Sequence, residues 1–472
     1  LHFSAKGELL FGSAGRPVAW DTRTGRESAE VHWLGTRSWR NLLSPDGSVV
    51  ANIALDDTLA LFATSTGKPL HTLGRSKSFG WGMAFSPDGR RLYTTTIGQA
   101  IDEWDVATGR RLRALDTMGK DILWLTTSPN GRWLASATGV RGDREITLWD
   151  LTTGRERATY KLRAGSFFAF AFSPDSRFLA TVESGASGLG EVKLWDIAIG
   201  TVWRSIVMTS KKPSPAVAFS PDGRMLATGG EDGSLLLWEL ASGRIRERFV
   251  GHQDWIGSLA FSPNGRYLAA ASTDAPVFLW AVMDESARPT ALSPAVLEQA
   301  WTTLAGDDAA AAWQAVKMLA AAPARSVPFL QKSLHPAARA NQKQLEQLIA
   351  RLDSPRFAVR QHATTELAQW LEQAEPLLRK ALTSQLSAET RRRIEQLLQG
   401  LDPATGERLR QLRAVEVLEY AATPEVRSLL AELAQGVPEA GVTRAAKAAL
   451  QRLVRLPMKR LPKAGAAPPR EN

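Results

Sequence analysis

A unit of about 42–46 residues repeats through the first 285 residues, and this period constrains the fold more than any other feature of the chain. An aromatic anchor residue recurs at intervals of 42, 42, 45, 46, 43 and 42 residues. The anchors are Trp20, Phe62, Trp104, Trp149, Trp195, Trp238 and Trp280. Self-similarity at such a period indicates one supersecondary unit that is copied and stacked on its neighbours.

A Ser-Pro-Asp/Asn-Gly turn precedes most anchors. Proline presets φ and glycine accepts a positive φ, so this turn suits a tight reversal between two strands. A second, Thr-Gly-Arg-like turn follows most anchors, and each period therefore predicts four short strands that bury both faces only by stacking. The first type of turn occurs at Ser44–Gly47, Ser86–Gly89, Ser128–Gly131, Ser220–Gly223 and Ser262–Gly265, with a variant at Ser173–Ser176.

These units resemble the WD40 family of β-propellers, in which a Trp-Asp pair ends the third strand of each blade. The resemblance implies an all-β seven-bladed propeller over residues 1–285, with an incomplete first blade. Ring closure is then expected to need residues upstream of Leu1, or Arg288–Leu292 as an outer strand. The last unit is the most similar, and the resemblance implies a structural hydrogen-bond network of His252, Ser272, Asp274 and Trp280.

After Glu285 the period changes, and apolar residues recur at helical spacing. Ser293-Pro294, Ser354-Pro355 and Thr423-Pro424 predict helix starts, with a hydroxyl N-cap followed by proline. The stretch Leu352–Arg360 resembles the opening of a HEAT-type repeat, which implies an all-α HEAT-like domain over 293–456. The tail, 457–472, is rich in proline, alanine and charge, and is predicted to be disordered and basic.

The sequence offers little support for an enzyme. The His252, Ser272 and Asp274 set is the one triad-like combination, and in a propeller such a network is internal rather than an exposed nucleophile. The six histidines lack metal-ligand spacing, no phosphate-binding glycine loop is present, and the absence of cysteine excludes thiol chemistry. We therefore expect no catalytic residue, no metal and no cofactor.

The loops opposite the repeated turns differ between blades, which is where binding selectivity is expected. Aromatic and arginine side chains on a rigid rim are typical of protein-binding surfaces. The sequence thus predicts a non-catalytic scaffold that binds a protein or peptide on this rim and uses the helical domain as a second surface. The candidate residues are Arg37, Trp39, Lys77, Phe79, Asp121, Arg144, Phe167, Lys211, Asp254 and Trp255.

The net charge of +10 is uneven: it is +2 over residues 1–285 and +8 over 286–472. The basic C-terminal helices and tail therefore leave binding of nucleic acid or an anionic surface open as an alternative function. Arginines of the repeated turns are expected to be neutralised by aspartates in the same turns. The basic run comprises Arg444, Lys447, Arg452, Arg455, Lys459, Arg460, Lys463 and Arg470.

The chain begins at Leu1 without methionine or a signal peptide, so a fragment or processed form is expected. Its apolar runs are too short to predict a transmembrane helix. The pattern thus predicts a soluble protein, cytoplasmic or exported, and the near-identical units resemble bacterial members of the WD40 family. The partner and the oligomeric state are not specified by the sequence.

Overall fold

The computed structural model describes residues 1–4, 6–13, 17–28, 38–75, 79–96, 100–138, 145–162, 169–184, 189–208, 213–273, 277–283, 292–401 and 404–455. Within these ranges, seven small β-sheets precede ten α-helices, so the fold is a seven-bladed β-propeller followed by a helical region. The described chain forms two compact units. The first comprises Leu1–Leu237 and Arg248–Met283, and the second comprises Trp238–Glu247 and the helices.

Each blade takes its strands in sequence order, as the repeat predicts. Blade one contains β1 (His2–Phe3), β2 (Leu9–Ser13) and β3 (Pro17–Asp21). Blade two contains β4 (Ser38–Leu43), β5 (Val49–Ala54), β6 (Thr58–Ala63) and β7 (Pro69–Arg75). Blade three contains β8 (Phe79–Phe85), β9 (Arg91–Thr96), β10 (Ala100–Asp105) and β11 (Arg111–Asp116). Blade four contains β12 (Ile122–Thr127), β13 (Trp133–Thr138), β14 (Glu145–Asp150) and β15 (Arg155–Lys161).

The remaining three blades follow the same plan. Blade five contains β16 (Ala169–Phe172), β17 (Phe178–Ser184), β18 (Gly190–Asp196) and β19 (Thr201–Val207). Blade six contains β20 (Pro213–Phe219), β21 (Met225–Gly230), β22 (Leu235–Glu239) and β23 (Arg244–Phe249). Blade seven has three described strands, β24 (Ile256–Phe261), β25 (Tyr267–Ser272) and β26 (Phe278–Ala281).

The aromatic anchors occupy equivalent places in their sheets. Each described pairing joins an anchor to an aliphatic residue that is at most 4% exposed, on the second strand of the blade. In three blades the indole Nε1–H also donates to a hydroxyl two residues further along that strand, at 2.8–3.0 Å. The pairs are Trp20–Leu10, Phe62–Val50, Trp104–Leu92, Trp149–Leu134, Trp195–Leu179 and Trp280–Leu268.

The Ser-Pro-Asp-Gly turns pack on one another around the first unit. A Cβ placed on Gly89 would lie 3.8 Å from Pro45 Cδ of the preceding turn, and four other turn pairs make the same contact at 3.2–3.9 Å. In blade five Ser176 replaces the glycine, and its hydroxyl accepts the Asn130 N–H at 3.0 Å. The four other pairs are Gly131–Pro87, Gly223–Pro174, Gly265–Pro221 and Gly7–Pro263.

The first turn of blade one, Ser4–Gly7, does not match the repeated turn in the sequence because it lacks proline and aspartate. In the structure, Ser4 Oγ accepts the Leu9 N–H at 3.1 Å, as Ser44 Oγ accepts the Val49 N–H at 3.0 Å. Phe3 and Leu10 pack with Ala269 of blade seven, and Gly7 contacts Pro263. These contacts join blade one to blade seven within the described ranges, whereas the repeat pattern predicts closure through upstream residues or through Arg288–Leu292. Residues 288–291 of the alternative closing strand lie outside the described ranges.

The second unit contains the helices. They are α1 (Pro294–Leu304), α2 (Ala309–Ala321), α3 (Pro323–Ser333), α4 (Gln342–Arg351), α5 (Phe357–Gln369), α6 (Leu371–Ala381), α7 (Ala388–Gln399), α8 (Gly406–Ala421), α9 (Pro424–Leu433) and α10 (Gly441–Arg455). The predicted starts at Pro294 and Pro424 are confirmed. The start predicted at Pro355 is wrong by two residues, because Arg356 keeps an extended backbone and serves as the N-cap.

The second unit also contains a buried network of four charged side chains. Glu239 comes from the Trp238–Glu247 segment, and Arg413 of α8 donates to both of its carboxylate oxygens at 3.0 and 2.7 Å. Arg246 of the same segment donates to Glu416 of α8 at 2.7 and 2.8 Å and to Glu239 at 2.6 Å. All four are at most 3% exposed. Burial alone would raise the pKa of Glu239, but Arg246 and Arg413 lower this pKa to about 2.

Three further contacts hold the same segment. Trp313 of α2 donates its Nε1–H to Glu247 at 2.8 Å, and Lys317 Nζ lies 3.1 Å from the same carboxylate. The Arg246 guanidinium lies over the Trp313 ring at 4.8 Å. The Trp-Asp signature of the repeat becomes Trp-Glu in blade six, and the longer Glu239 side chain joins the charged network.

Candidate interaction surface

The loop between β23 and β24 presents two of the rim residues that the sequence predicts. Trp255 is 41% exposed, and Asp254 beside it is also exposed. Val250, at the start of the same loop, is 87% exposed, and the sequence analysis missed it. The sequence does not predict that Val250 is exposed, because a single aliphatic residue before Gly251-His252 forms no periodic pattern.

Asp254 ties this loop to the end of β25. Its Oδ1 accepts the backbone N–H of Trp255 at 2.7 Å, and its Oδ2 accepts the Thr273 hydroxyl at 2.8 Å. The Ser272 hydroxyl donates to the Asp254 carbonyl oxygen at 3.1 Å. Three hydrogen bonds thus restrict the loop, so the indole of Trp255 is held at the surface before any partner arrives.

Behind the loop, His252 anchors the chain. Its ring is 7% exposed and packs on Phe278 with centroids 4.6 Å apart. Gly233, in the turn between β21 and β22, has φ +74° and approaches so closely that a Cβ would lie 2.4 Å from the His252 carbonyl oxygen. Only glycine fits there, and the adjacent turn supports the loop that carries Trp255.

The four-residue network that the resemblance implies is only partly described. Asp274 lies outside the described ranges, and Ser272 donates to the Asp254 carbonyl. In other blades the hydroxyl that receives the indole N–H stands two residues after the aliphatic partner, a position that is Ala270 in blade seven. Accordingly, Trp280 Nε1 has no acceptor within the described ranges. The full network therefore stays a prediction.

Ala270→Ser should supply this missing acceptor. We expect the free energy of unfolding to rise by about 0.5–1.5 kcal/mol, because a buried donor gains a hydrogen bond. Chemical denaturation followed by circular dichroism measures the change. Ala269→Ser is the matched control: Ala269 faces the apolar cluster with Phe3 and Leu10, so a hydroxyl there should destabilise by about 1–3 kcal/mol. Equal effects of both substitutions would contradict the assignment.

The other rim candidates are less well described. Asp121 is exposed between β11 and β12, next to Lys120, whose Nζ lies 2.8 Å from Glu145. Trp39 lies on β4 and Phe79 lies on β8, and the structure describes the backbone of these two residues but not their side chains. The binding roles of these residues stay predictions. Five candidates fall in undescribed segments: Arg37, Lys77, Arg144, Phe167 and Lys211.

On the face of the repeated turns, several arginines pair with nearby aspartates. Arg132 lies 3.0 Å from Asp150, and the pKa of Asp150 is lowered to about 2 by the Thr152 hydroxyl first and then by Arg132. Three more pairs join Arg91 to Asp105, Arg177 to Asp196 and Arg224 to Asp222. These pairs support the local neutralisation that the sequence predicts.

The basic C-terminal helix is partly neutralised as well. Arg452 forms a bidentate pair with Glu419 at 2.6 and 2.8 Å, whereas Arg444 and Lys447 are exposed. The arginines and lysines after residue 455 lie outside the described ranges. The alternative of nucleic-acid or anionic-surface binding therefore stays a prediction without a described site.

Neither a metal-binding cluster nor a membrane-spanning helix occurs in the described ranges. They contain no group of three or more histidine, aspartate or glutamate side chains in a metal-binding arrangement. No described helix combines the length and the apolar character that membrane crossing requires.

Comparison with known proteins supports the propeller fold. The model of the WD domain, G-beta repeat, matches residues 110–150, 213–239 and 243–280. Periodic tryptophan protein 2 of Arabidopsis thaliana is 25% identical over 263 residues, which cover 54% of this chain and 28% of that protein. Transcription initiation factor TFIID subunit 5 of Caenorhabditis elegans is 22% identical over 197 residues, 42% of this chain and 29% of that protein.

The chain spans less than a third of the length of either relative. A solved structure of Kuenenia stuttgartiensis hydrazine synthase matches with a TM-score of 0.51 and 18% identity, covering 59% of this chain and 94% of that one. Identity at this level shows the fold alone. The WD40 repeat model thus matches three segments of a chain whose sheets form a seven-bladed β-propeller.

Proposed function

We propose that this protein is a non-catalytic scaffold that binds a protein or peptide on the propeller rim. The observation that carries the proposal is the Trp255 loop, where an exposed indole stands on a segment restrained by Asp254. Tryptophan is among the residues that dominate interface energies, and a loop ordered in advance loses less entropy when it binds.

Two further points support a scaffold. Transcription initiation factor TFIID subunit 5 is named as a subunit of a larger factor, and assembly with other proteins is the role we propose here. In the second unit, α4–α7 share one apolar core, which supports our interpretation of residues 293–456 as a HEAT-like domain with its own interaction surface.

Trp255→Ala tests the rim surface. We expect recovery of a specific partner from a native lysate to fall at least tenfold, since loss of an interface tryptophan costs about 2 kcal/mol or more. The free energy of unfolding should change by no more than about 0.5 kcal/mol, because the indole is exposed. Quantitative pull-down and chemical denaturation measure the two effects.

Leu112→Ala is the matched control for Trp255→Ala. Leu112 is similarly exposed, at 48%, but lies on the outer strand of blade three, away from the rim loops. The control should recover the same partner as the unmodified chain. Recovery that is unchanged by Trp255→Ala, or lowered equally by Leu112→Ala, would contradict rim binding.

A further inference from the structure

Arg40 lies on the inner wall of the propeller. It belongs to β4, the first strand of blade two, and the first strands of neighbouring blades contact one another, as β4 contacts β8 and β8 contacts β12. The strand leads into the Ser44–Gly47 turn, and Arg40 stands toward its other end. The side chain of Arg40 therefore starts from the inner ring of strands and not from the outer edge of a blade.

The other blades have uncharged residues at this place. Arg40 stands four residues before the serine of the repeated turn, and it pairs with Ile53 on the second strand of its blade. The packing of the blades does not require a cation here, because glycine, alanine, serine and tryptophan occupy the equivalent positions. In blades two to seven these positions are Arg40, Gly82, Trp124, Ala169, Ala216 and Ser258.

Two neighbouring blades enclose this position. Gly82 occupies it in blade three, where a Cβ would lie 2.7 Å from Thr95 Cγ2 of the same blade and 3.1 Å from Leu125 Cγ of the next blade. The stem of Arg40 accordingly leaves β4 between blades two and three, and the residue is partly buried. Burial lowers the pKa of the Arg40 guanidinium below its ordinary value, but an arginine in a protein keeps its charge.

No described residue compensates the charge of Arg40. Within the described ranges its guanidinium has neither an ion pair nor a hydrogen bond. Arg113 of β11 shows the opposite arrangement, because it donates to the Glu103 carboxylate and to the Leu151 carbonyl oxygen. A partly buried charge without a partner is costly, since it loses water and gains no other contact. The Arg40 guanidinium can therefore bind an anion that comes from outside the described chain.

We propose that Arg40 anchors an oxyanion site on the inner wall of the propeller, where it binds a phosphate or a carboxylate group. The planar guanidinium presents parallel N–H donors that match two oxygens of either group. Partial burial strengthens this contact, because the attraction between opposite charges is larger where less water screens it. The site belongs to blade two, whereas Trp255 precedes β24 of blade seven, so the oxyanion site does not depend on the proposed rim site.

Arg40→Met tests the site, because methionine keeps an unbranched side chain and removes the charge. Inorganic phosphate and acetate are the two probes, and each is compared with chloride at equal ionic strength during thermal unfolding of the full chain. At least one of them should raise the melting temperature of the unmodified chain by about 2 °C or more beyond its effect on Arg40→Met. General salt effects cancel in this comparison, since they act on both proteins. The probe with the larger difference identifies the group as phosphate or carboxylate.

Arg157→Met is the matched control for Arg40→Met. Arg157 is exposed on β15, so its loss removes the same charge from the outer strand of a blade. This control should respond to both probes as the unmodified chain does. Trp255→Ala should also respond as the unmodified chain does, so failure of the rim site leaves the result readable.

Chemical labelling tests the same site without a substitution, and it decides the matter if Arg40→Met does not fold. Phenylglyoxal modifies arginine side chains, and mass spectrometry after digestion measures the rate at each position. A saturating concentration of the effective probe should slow modification of Arg40 at least about fivefold and leave Arg157 unchanged. The proposal is overturned if the unmodified chain and Arg40→Met respond equally to both probes, or if neither probe slows the labelling of Arg40.

Discussion

Replacing Arg413 by alanine is expected to destabilise the second unit by about 3–5 kcal/mol. The guanidinium holds both oxygens of Glu239 and also donates to the carbonyl oxygens of Leu304 and Gly306, at 2.7 and 2.8 Å. Truncation would leave a buried carboxylate with one fewer cation and two carbonyls without this donor, and buried polar groups are costly when unpaired. Far-ultraviolet circular dichroism during urea unfolding measures the loss, because helices dominate that signal.

Arg379→Ala is the control for the Arg413 substitution. Arg379 pairs with Glu375 one helical turn away at 3.0 Å and is largely exposed, so its loss should cost no more than about 0.5 kcal/mol. An effect of Arg413→Ala below about 1 kcal/mol would show that the buried network contributes little.

Acid unfolding provides a second readout of the same network. The pKa of Glu239 is lowered to about 2, against about 4.3 for an unfolded glutamate. Its stabilising contribution is therefore complete above the unfolded pKa and is lost as the pH falls toward 2. Arg413→Ala removes one cause of the lowered pKa, so the variant should begin to unfold at a higher pH than the unmodified chain.

Replacing Trp149 by alanine is expected to cost the first unit about 3–5 kcal/mol. The indole is 4% exposed, packs in the apolar cluster with Ile122 and Leu134, and donates to Ser136 Oγ at 2.8 Å. Its loss leaves a cavity between blades and removes the donor to a buried hydroxyl. Guanidinium unfolding followed by circular dichroism in the β-sheet region measures the change.

Trp255→Ala serves as the comparison for Trp149→Ala, because it removes the same side chain from an exposed position. The two substitutions should differ by at least about 2.5 kcal/mol. A similar cost at both positions would mean that the repeated tryptophans do not mark equivalent buried places in the blades.

The repeat made the propeller predictable because its signals are local. Aromatic anchors and turn glycines recur at the same places in each unit, so their spacing alone indicates seven sheets. Asp254 and Trp255 were predicted as rim residues because they stand in a loop opposite the repeated turns, where the units differ from one another. The turn at Ser4–Gly7 was missed since, of the repeated turn's residues, it keeps only the serine and the glycine.

Contacts between distant segments could not be predicted in this way. Arg246 and Glu416 are 170 residues apart, and each looks like an ordinary charged residue of a strand or a helix until the two side chains are seen together in a buried place. Likewise, the support that Gly233 gives to His252 depends on how two neighbouring turns approach.

Periodicity alone therefore specifies the number of blades, the place of each anchor and the change to helices after Glu285, because each depends on residues close together in the chain. The contacts of individual side chains are not specified by periodicity. Whether Trp280 finds an acceptor, whether Arg413 is paired and whether Trp203 is exposed depend on neighbours that only the folded chain brings near. Burial and hydrogen bonding depend on contacts between segments that are far apart in the chain, so no single stretch of sequence determines them.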